Sequence, residues 1–517
     1  MGNKLNIFKD VRVVSVVISL MISIWAVYQD SVINGDGLLY VYSAAQISEG
    51  NWQQAFSIYN WPFYSWLISL TNQLLGFSLE SSAHQLNAVL TALAVVAFIN
   101  LVKELGGDKK ILIAGAITIL IYPTLNDYRN YIIRDAGYIA FYLASIWLFI
   151  RYIKYNNWSD AVGWGTSMTI ATLFRIEGSV FLALMPLIIL FKNPDPVRKR
   201  LQLFLKAHTV LFVFILLGFV LWLVDGDLIH QRHGRLYEPV ETLQNLFGYV
   251  TTDMANKVEV LRGSLLNKYS SEYAWVIICL SLLVIFITET ITTLTPLFAV
   301  LAVYSVFRKL SFQDNFLRAV WYWLILLNVS ILGVFLLKNT FLTGRFPLAL
   351  SLTVMPAVPF ALVSLFERWR ENRHGFSVQR LGLLLIGIML CFMALDGLIS
   401  TGPSKEYIKD AGLWLKQTTK AQETLYSNNS ALTHYAGKLG DTGYLYDYEW
   451  SDTFALLKGN QWKQYDYLAI QIKRKHPERA NTVIDILGLQ PVKTFTNSRG
   501  AKVLIFKTSD SSVESLG

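Results

Sequence analysis

The sequence predicts a polytopic α-helical membrane protein of about 11 transmembrane helices with a small C-terminal extracytoplasmic α/β domain. Three observations carry this. Of the 517 residues, 53% are hydrophobic and only 16% charged, against about 25% charged in soluble domains. The apolar residues gather in runs close to the ~20 residues a helix needs to cross a bilayer. After residue 398 the hydropathy drops to that of a soluble domain, although the mean for the whole chain is +0.40.

The basic N-terminus, "MGNKLNIFKDVR", leads into the apolar run 12–30 with no small-residue cleavage site after it, so it reads as a signal anchor and not a cleaved signal peptide. Further crossings are expected at 85–102, 110–125, 136–153, 159–174, 178–192, 209–225, 290–307, 319–337, 346–365 and 379–398. The excess of Lys and Arg in cytoplasmic loops sets orientation. Lys4, Lys9 and Arg12 place the N-terminus in the cytoplasm, together with "KELGGDKK", "RYIKYNN", "KNPDPVRKR", "RKLSFQDNFLR" and "ERWRENRHG". Alternation then leaves the C-terminus outside. In the long apolar span 273–307, interrupted by "TETITT", residues 273–288 are expected to lie at the outer surface and 290–307 to cross.

The expected division is a transmembrane domain, 1–398, carrying outer loops 31–84 and 226–272, and a periplasmic α/β domain, 399–517. In the first loop "YNWPFYSWLISLTNQLLG" reads as an aromatic-rich stretch along the interface. In the tail "KEYIKDAGLWLKQ" reads as an amphipathic helix, and "ETLYSNN", "YDYLAIQI" and "AKVLIFK" as strands. The net charge of +9 is spread over short loops, which is a topology signal and not a nucleic-acid surface. Cys279 and Cys391 both lie in apolar runs, so their spacing gives neither a disulfide framework nor a CxxC metal site.

Charges at membrane edges are costly and therefore candidates for function. Those on the outer side form one set: Asp36, Asp127, Arg129, Arg134, Asp135, Arg175, Glu177, Lys338 and Arg345. Carboxylates can deprotonate a hydroxyl; cations can hold and neutralise a phosphate leaving group. Each has a structural alternative. Asp36 precedes "GLLYVYSAAQIS" and is placed to cap that helix. Arg134 and Asp135 are placed to snorkel or to pair with other helices. Arg175 and Glu177 can pair to hold a tight helical hairpin, and Arg345 can anchor topology. Asp127 and Arg129 sit in the polar turn "NDYRN". His230 and His233 lack the further ligands a metal pair needs.

"GDGLLYVYSAAQISEGNW" followed by "YNWPFYSWLISLTNQLLGFS" resembles the first outer loop of the GT-C superfamily of membrane glycosyltransferases, in the branch with aminoarabinose transferases of lipid A and protein O-mannosyltransferases. The resemblance places the family's acidic residue at Asp36, its helix tyrosine at Tyr40, its turn at "EGNW" and its Pro-aromatic segment at Trp61-Pro62-Phe63-Tyr64. The family's usual acidic pair is Asp-Gly here, at 36–37. "YIIRDAGYIAFYLASIWLFIRY", with Asp135 at the second acidic position, "ATLFRIEGSVFLALMPLIIL", "LTGRFPLALSLTVMPAVP" and the tail from "YIKDAGLWLKQ" extend the resemblance over nearly the whole chain.

The resemblance implies a GT-C type fold and an inverting glycosyltransferase of the bacterial inner membrane. It implies a polyprenyl-phosphate-sugar donor and a glycolipid, polysaccharide or protein acceptor at the periplasmic face. The implied catalytic residues are Asp36, as general base, and Asp135, which positions the acceptor or orients a cation. Arg134, Arg175, Lys338 and Arg345 are the candidates for the donor phosphate, and Tyr40, Trp61, Tyr64 and Glu177 for sugar or acceptor. No cofactor and no metal ligands are assigned; a divalent metal is compatible with the outer-loop acids. Two other readings stay open. An O-antigen-type polymerase or ligase would centre on Arg232 and His233 in "GDLIHQRHGRLYEP". A lipid-linked sugar transporter or flippase would show repeated halves or broken helices around a midplane charge, and the sequence has no internal repeat.

Overall fold

The computed structural model describes residues 10–224, 235, 237–312, 314–371, 378–399, 404–439 and 445–508. Among the described residues the regular elements up to residue 399 are all helices, and strands occur only after residue 424. Among the described residues six helices suffice, by length and composition, to cross a membrane: Val11–Gln29, Leu79–Glu104, Asp135–Tyr155, Ser271–Leu294, Asn315–Asn339 and Leu348–Arg370. Val197–Ala207 and Thr209–Val220, bent by 53° to one another, qualify as a seventh when taken as one span. Of the other expected crossings, 379–398 forms the 19-residue helix Val378–Asp396, and three more are helical but shorter. Lys109–Leu120 has 12 residues, Trp158–Phe174 has 17, and Gly178–Leu184 runs on into the 3₁₀ segment Met185–Phe191. At 1.5 Å per residue, twelve residues reach only about 18 Å of a ~30 Å hydrocarbon core.

The span 273–307 departs from expectation. Ala274–Leu294 is one 21-residue helix, and Pro296–Phe307 is a separate helix of 12 residues. The break falls at Thr295, whose φ is +69°, directly before a proline that has no N–H to continue the ladder. "TETITT" does not interrupt the helix: the Thr292 hydroxyl donates back to the Thr288 carbonyl at 2.8 Å and so is satisfied within its own helix. The membrane-length helix is therefore 271–294, and 290–307 is not continuous.

Two compact units make up the chain. The first contains Met1–Ser23, Asn87–Arg129 and Arg134–Leu398. Its centre is the helical hairpin Asp135–Tyr155 and Trp158–Phe174, turned at Asn156 in the left-handed region, with Phe149 edge-on to Trp164 at 5.0 Å. A buried polar network crosses its interior. Asn328 Nδ2 donates to the Tyr142 hydroxyl (2.7 Å), which meets Thr353 Oγ1 (2.8 Å), and Trp321 Nε1 donates to the Thr353 carbonyl (2.8 Å). These bonds satisfy groups that would otherwise be costly to bury.

The second unit contains Ile24–Leu86, Asn130–Ile133 and Ile399–Gly517. Gly35–Ser48, Trp52–Ile58 and Phe63–Leu75 are its first helices. Its sheet has the order β1-β2-β4-β3, with β1 (Leu425–Ser427) parallel to β2 (Tyr467–Ile472). The strands β4 (Lys502–Lys507) and β3 (Lys493–Thr496) complete it antiparallel. Alternation along β2 sends Leu468, Ile470 and Ile472 into one core with Val483 of the helix Arg479–Leu487. Gln471, of opposite parity, donates from Nε2 to the Tyr407 hydroxyl (2.9 Å) of the helix Glu406–Thr418. The expected helix and three strands of the tail are all present; β3 was not expected.

Candidate active site

Asp36 is the second residue of the helix Gly35–Ser48. Its carboxylate sits half-buried in the first turn, where the positive end of the helix dipole favours negative charge. The reading of Asp36 as the cap residue is corrected. The cap position is Asn34, in extended conformation, because the helix starts at Gly35. The Asn34 side chain pairs instead with the chain at Ile132: the Ile132 N–H donates to Oδ1 at 2.8 Å, and Nδ2 donates to the Ile132 carbonyl at 3.3 Å. This close approach explains the Asp-Gly pair. A Cβ at Gly37 would stand 2.9 Å from Asn34 Oδ1 and 3.0 Å from Ile132 Cβ, so any side chain at 37 must push these neighbours aside.

Tyr40 follows Asp36 one turn later on the same face. It is 5% exposed and lies edge-on to Tyr59 and Tyr64 at 5.1 and 5.0 Å between ring centres. Tyr64 and Trp61 are buried too. These rings pack the three helices against one another, and the open aromatics of the segment are Trp52 and Trp66.

In the first unit a single guanidinium gathers two carboxylates. Arg175 follows directly on the helix Trp158–Phe174, in extended conformation. Its Nη1 donates to Asp135 Oδ1 and its Nη2 to Glu177 Oε1 at 2.6 Å. The Tyr138 and Phe346 rings lie 5.7 and 5.4 Å from its Cζ. Gly137 makes this possible: a Cβ there would fall 2.2 Å from the Phe174 ring, so only glycine lets Phe174 lie against the start of the helix Asp135–Tyr155 and bring the next residue, Arg175, to Asp135. Burial alone would push the Glu177 carboxyl up; the charge and hydrogen bond of Arg175 outweigh it and hold Glu177 at about 2. Burial opposes the Arg175 charge as well, and the two carboxylates overcome it, holding its pKa well above the usual arginine value.

Arg345, half-buried, lies 5.4 Å from the same Phe346 ring. Arg134 is half-buried and its charge also lowers the Glu177 pKa. Lys338 is exposed near the end of the helix Asn315–Asn339 and lies 5.9 Å from the Tyr249 ring. Arg129 is elsewhere engaged. It is 3% exposed and donates to the Ser19 carbonyl (2.9 Å), Ser23 Oγ (2.7 Å) and Asn126 Oδ1 (2.7 Å), fixing the first helix. His230, Arg232 and His233 lie outside the described residues. Among the described residues no three His, Cys, Asp or Glu side chains are placed to hold a metal ion.

Sequence reasoning did not find Tyr138 and Phe346 as faces for Arg175, nor Asn34 as the tie to Ile132. An Arg between two apolar runs signals a buried ion pair, but nothing in the spacing names the rings around it.

Membrane-length helices and an α/β tail set the class of the fold: a largely helical chain with six helices long and apolar enough to cross a membrane among the described residues. Residues 60–223, about a third of the chain, match the family model of dolichyl-phosphate-mannose-protein mannosyltransferases. No curated protein sequence matches the chain. The structure overlays on the archaeal oligosaccharyltransferase AglB from Archaeoglobus fulgidus, in complex with an inhibitory peptide and a dolichol-phosphate, at a TM-score of 0.53. The identity is 13%, over 90% of this chain and 70% of that one. The same oligosaccharyltransferase tethered to an acceptor peptide gives 0.53 at 12% identity, covering 95% and 73%. ArnT from Cupriavidus metallidurans in the apo state gives 0.43 at 12%, covering 96% and 98%. The fold assignment rests on the two oligosaccharyltransferase overlays.

Proposed function

We propose that this protein transfers a sugar from a polyprenyl-phosphate carrier to a hydroxyl of a glycolipid, polysaccharide or protein at the periplasmic face of a bacterial inner membrane. One observation carries the proposal. The segment that matches a family named for a dolichyl-phosphate-mannose donor, 60–223, also holds Arg134, Asp135, Arg175 and Glu177, in a chain of GT-C fold. A lipid-phosphate donor stays at the membrane, so a site built for it belongs at helix ends.

In the proposed reaction the acceptor oxygen attacks the anomeric carbon, with inversion. Asp36 takes the acceptor proton as the new C–O bond forms. The bond from the anomeric carbon to the phosphate oxygen breaks, and its electron pair stays on the polyprenyl phosphate. The extra charge on the leaving phosphate is met by Arg134, Lys338 and Arg345. Arg175 is committed to two carboxylates, so its part is to hold Asp135 and Glu177 in place beside the acceptor or donor sugar. A fixed cation at a developing anion is worth about 3 kcal/mol on the scale of other charge-stabilising groups.

The test is transfer in proteoliposomes with a panel of radiolabelled polyprenyl-phosphate sugars and a lipid extract of the host as acceptor. Carrier-dependent transfer that disappears in folded Asp36→Asn is the expected result. Transfer retained in Asp36→Asn keeps the class and removes the base; absence of transfer with every donor counts against the class.

A further inference from the structure

Asp36 stands in a stretch whose two sides are both gripped by the C-terminal domain. Ahead of it, the Ile33 N–H donates to the Tyr435 hydroxyl at 2.8 Å. That hydroxyl has one proton to give, and two acceptors share its direction: the Ser31 carbonyl at 3.1 Å and Glu80 Oε1 at 3.0 Å. Lys409 donates to Ser31 Oγ at 2.9 Å and lies over the Tyr435 ring, 5.2 Å from its centre. Behind Asp36, His434 Nδ1 lies 3.4 Å from the Tyr42 hydroxyl, and its Nε2 lies 3.6 Å from Glu80 Oε2. Tyr435 is 8% exposed and Ile33 4%. Burial, with Glu80 beside it, raises the Tyr435 pKa and keeps the phenol protonated.

The partners are separated by about 400 positions in sequence, yet they belong to one compact unit. Buried bonds to a backbone N–H and carbonyl fix main chain and not merely side chain. Here they fix it three residues before Asp36, at the entry to the helix that carries it. We infer that the C-terminal α/β domain sets the position of Asp36 by holding residues 31–33, with Tyr435 as the positioning residue. The inference rests on the reading of Asp36 as the general base, and it gives the tail a function in the reaction without contact to any substrate.

The test uses the full-length protein in proteoliposomes and two readouts, backbone hydrogen exchange over residues 31–40 and the steady-state transfer assay. Tyr435→Phe keeps the ring and removes the hydroxyl. Lys409→Met keeps the stem and removes the bond to Ser31. Tyr426→Phe is the control: it removes a buried hydroxyl of the same domain, 3.2 Å from Thr453 Oγ1, that touches nothing in 31–40. Tyr435→Phe is expected to speed exchange over 31–40 and to lower kcat about tenfold, the worth of one buried hydrogen bond, with the donor KM within about twofold. Lys409→Met moves both in the same direction and by less, and Tyr426→Phe moves neither. Wild-type exchange over 31–40 in both variants overturns the inference, and so does faster exchange with unchanged kcat. If Tyr435→Phe does not fold, Lys409→Met decides by the same criteria. A fully active Asp36→Asn, or a wild type inactive with every donor, sinks the reading of Asp36 instead, and the exchange result then judges the grip on 31–33 alone.

Discussion

The two acidic residues singled out beside membrane helices, Asp36 and Asp135, are held in opposite ways. Asp135 is 7% exposed and paired to Arg175, which also binds Glu177. It is fixed by charge. Asp36 is half-buried in a first helical turn, and the main chain ahead of it is tied down through Asn34 to Ile132 and Ile33 to Tyr435. The difference in how they are held goes with the two roles proposed for them, base at Asp36 and orienting acid at Asp135, and it can be broken by experiment.

The largest effect is expected at Asp36. Asp36→Asn keeps the size of the side chain and removes the base; general-base catalysis is worth about 10²–10⁴ in rate, so kcat should fall on the order of a thousandfold with an unchanged melting temperature. Asp135→Asn should show the reverse balance, losing stability as well as rate. Equal losses of rate at both positions with no change in stability at either would erase the distinction.

Next comes Arg175→Met. It leaves the buried Asp135 and the partly buried Glu177 without their cation. Breaking a buried pair in this way costs about 3–5 kcal/mol, read as a lower melting temperature in detergent. The triple variant Arg175→Met, Asp135→Asn, Glu177→Gln should recover much of that loss, since no uncompensated charge remains. A triple variant as unstable as Arg175→Met alone would mean that packing against Tyr138 and Phe346, and not charge, holds the cluster.

The acid side of the pH range reads the same cluster. The Glu177 pKa lies at about 2 in the folded protein against 4.5 for the free side chain. A depressed carboxyl pKa contributes stability that is fully present above 4.5 and is lost as the pH falls towards 2. At about 1.4 kcal/mol per unit the contribution is at most about 3 kcal/mol. Its side chain is 25% exposed, so solvent reduces this. Glu177→Gln should be less stable than wild type at neutral pH, and the two should converge between pH 4.5 and 2. Parallel curves through that window would show that Glu177 is not coupled to Arg175 in solution.

Much of the fold was legible because membrane helices announce themselves: a run of apolar residues near 20 leaves few alternatives. The run 273–307 was misdivided because hydropathy registers the polar "TETITT" and is blind to backbone geometry, whereas the chain actually breaks at Thr295 and Pro296. In the tail, β3 carries "KTFT" with little burial, so it lacked the apolar alternation that marked β2 and β4. At the site, Asp36 and the Arg175–Glu177 pair were legible as charges where apolar runs end. The partners that hold them were not. Tyr435 lies 402 positions from Ile33, and Phe346 reaches Arg175 from a different helix end; such contacts follow from the fold and leave no local pattern.

The smallest expected effects come from two glycines that shape the two sites, and they test whether the sites differ in tolerance as well as in chemistry. At Gly137 a Cβ would meet the Phe174 ring at 2.2 Å. The ring is fully buried, so Gly137→Ala must displace Phe174 and, with it, Arg175. Overpacking of this kind costs about 1–3 kcal/mol, and the rate should fall because the ion cluster shifts. At Gly37 the nearest atoms are Asn34 Oδ1 at 2.9 Å and Ile132 Cβ at 3.0 Å. A few tenths of an ångström relieve that contact, and the cost falls on the two hydrogen bonds between Asn34 and Ile132, about 1 kcal/mol. Gly37→Ala should therefore lower the melting temperature less than Gly137→Ala and yet reduce kcat, since it loosens the entry to the Asp36 helix. If Gly37→Ala were the more destabilising of the two, the grip on residues 31–34 would be a stability element first. If it changed neither rate nor stability, the main chain ahead of Asp36 would have slack, and its position would be set from the helix side through Tyr40 and Tyr42.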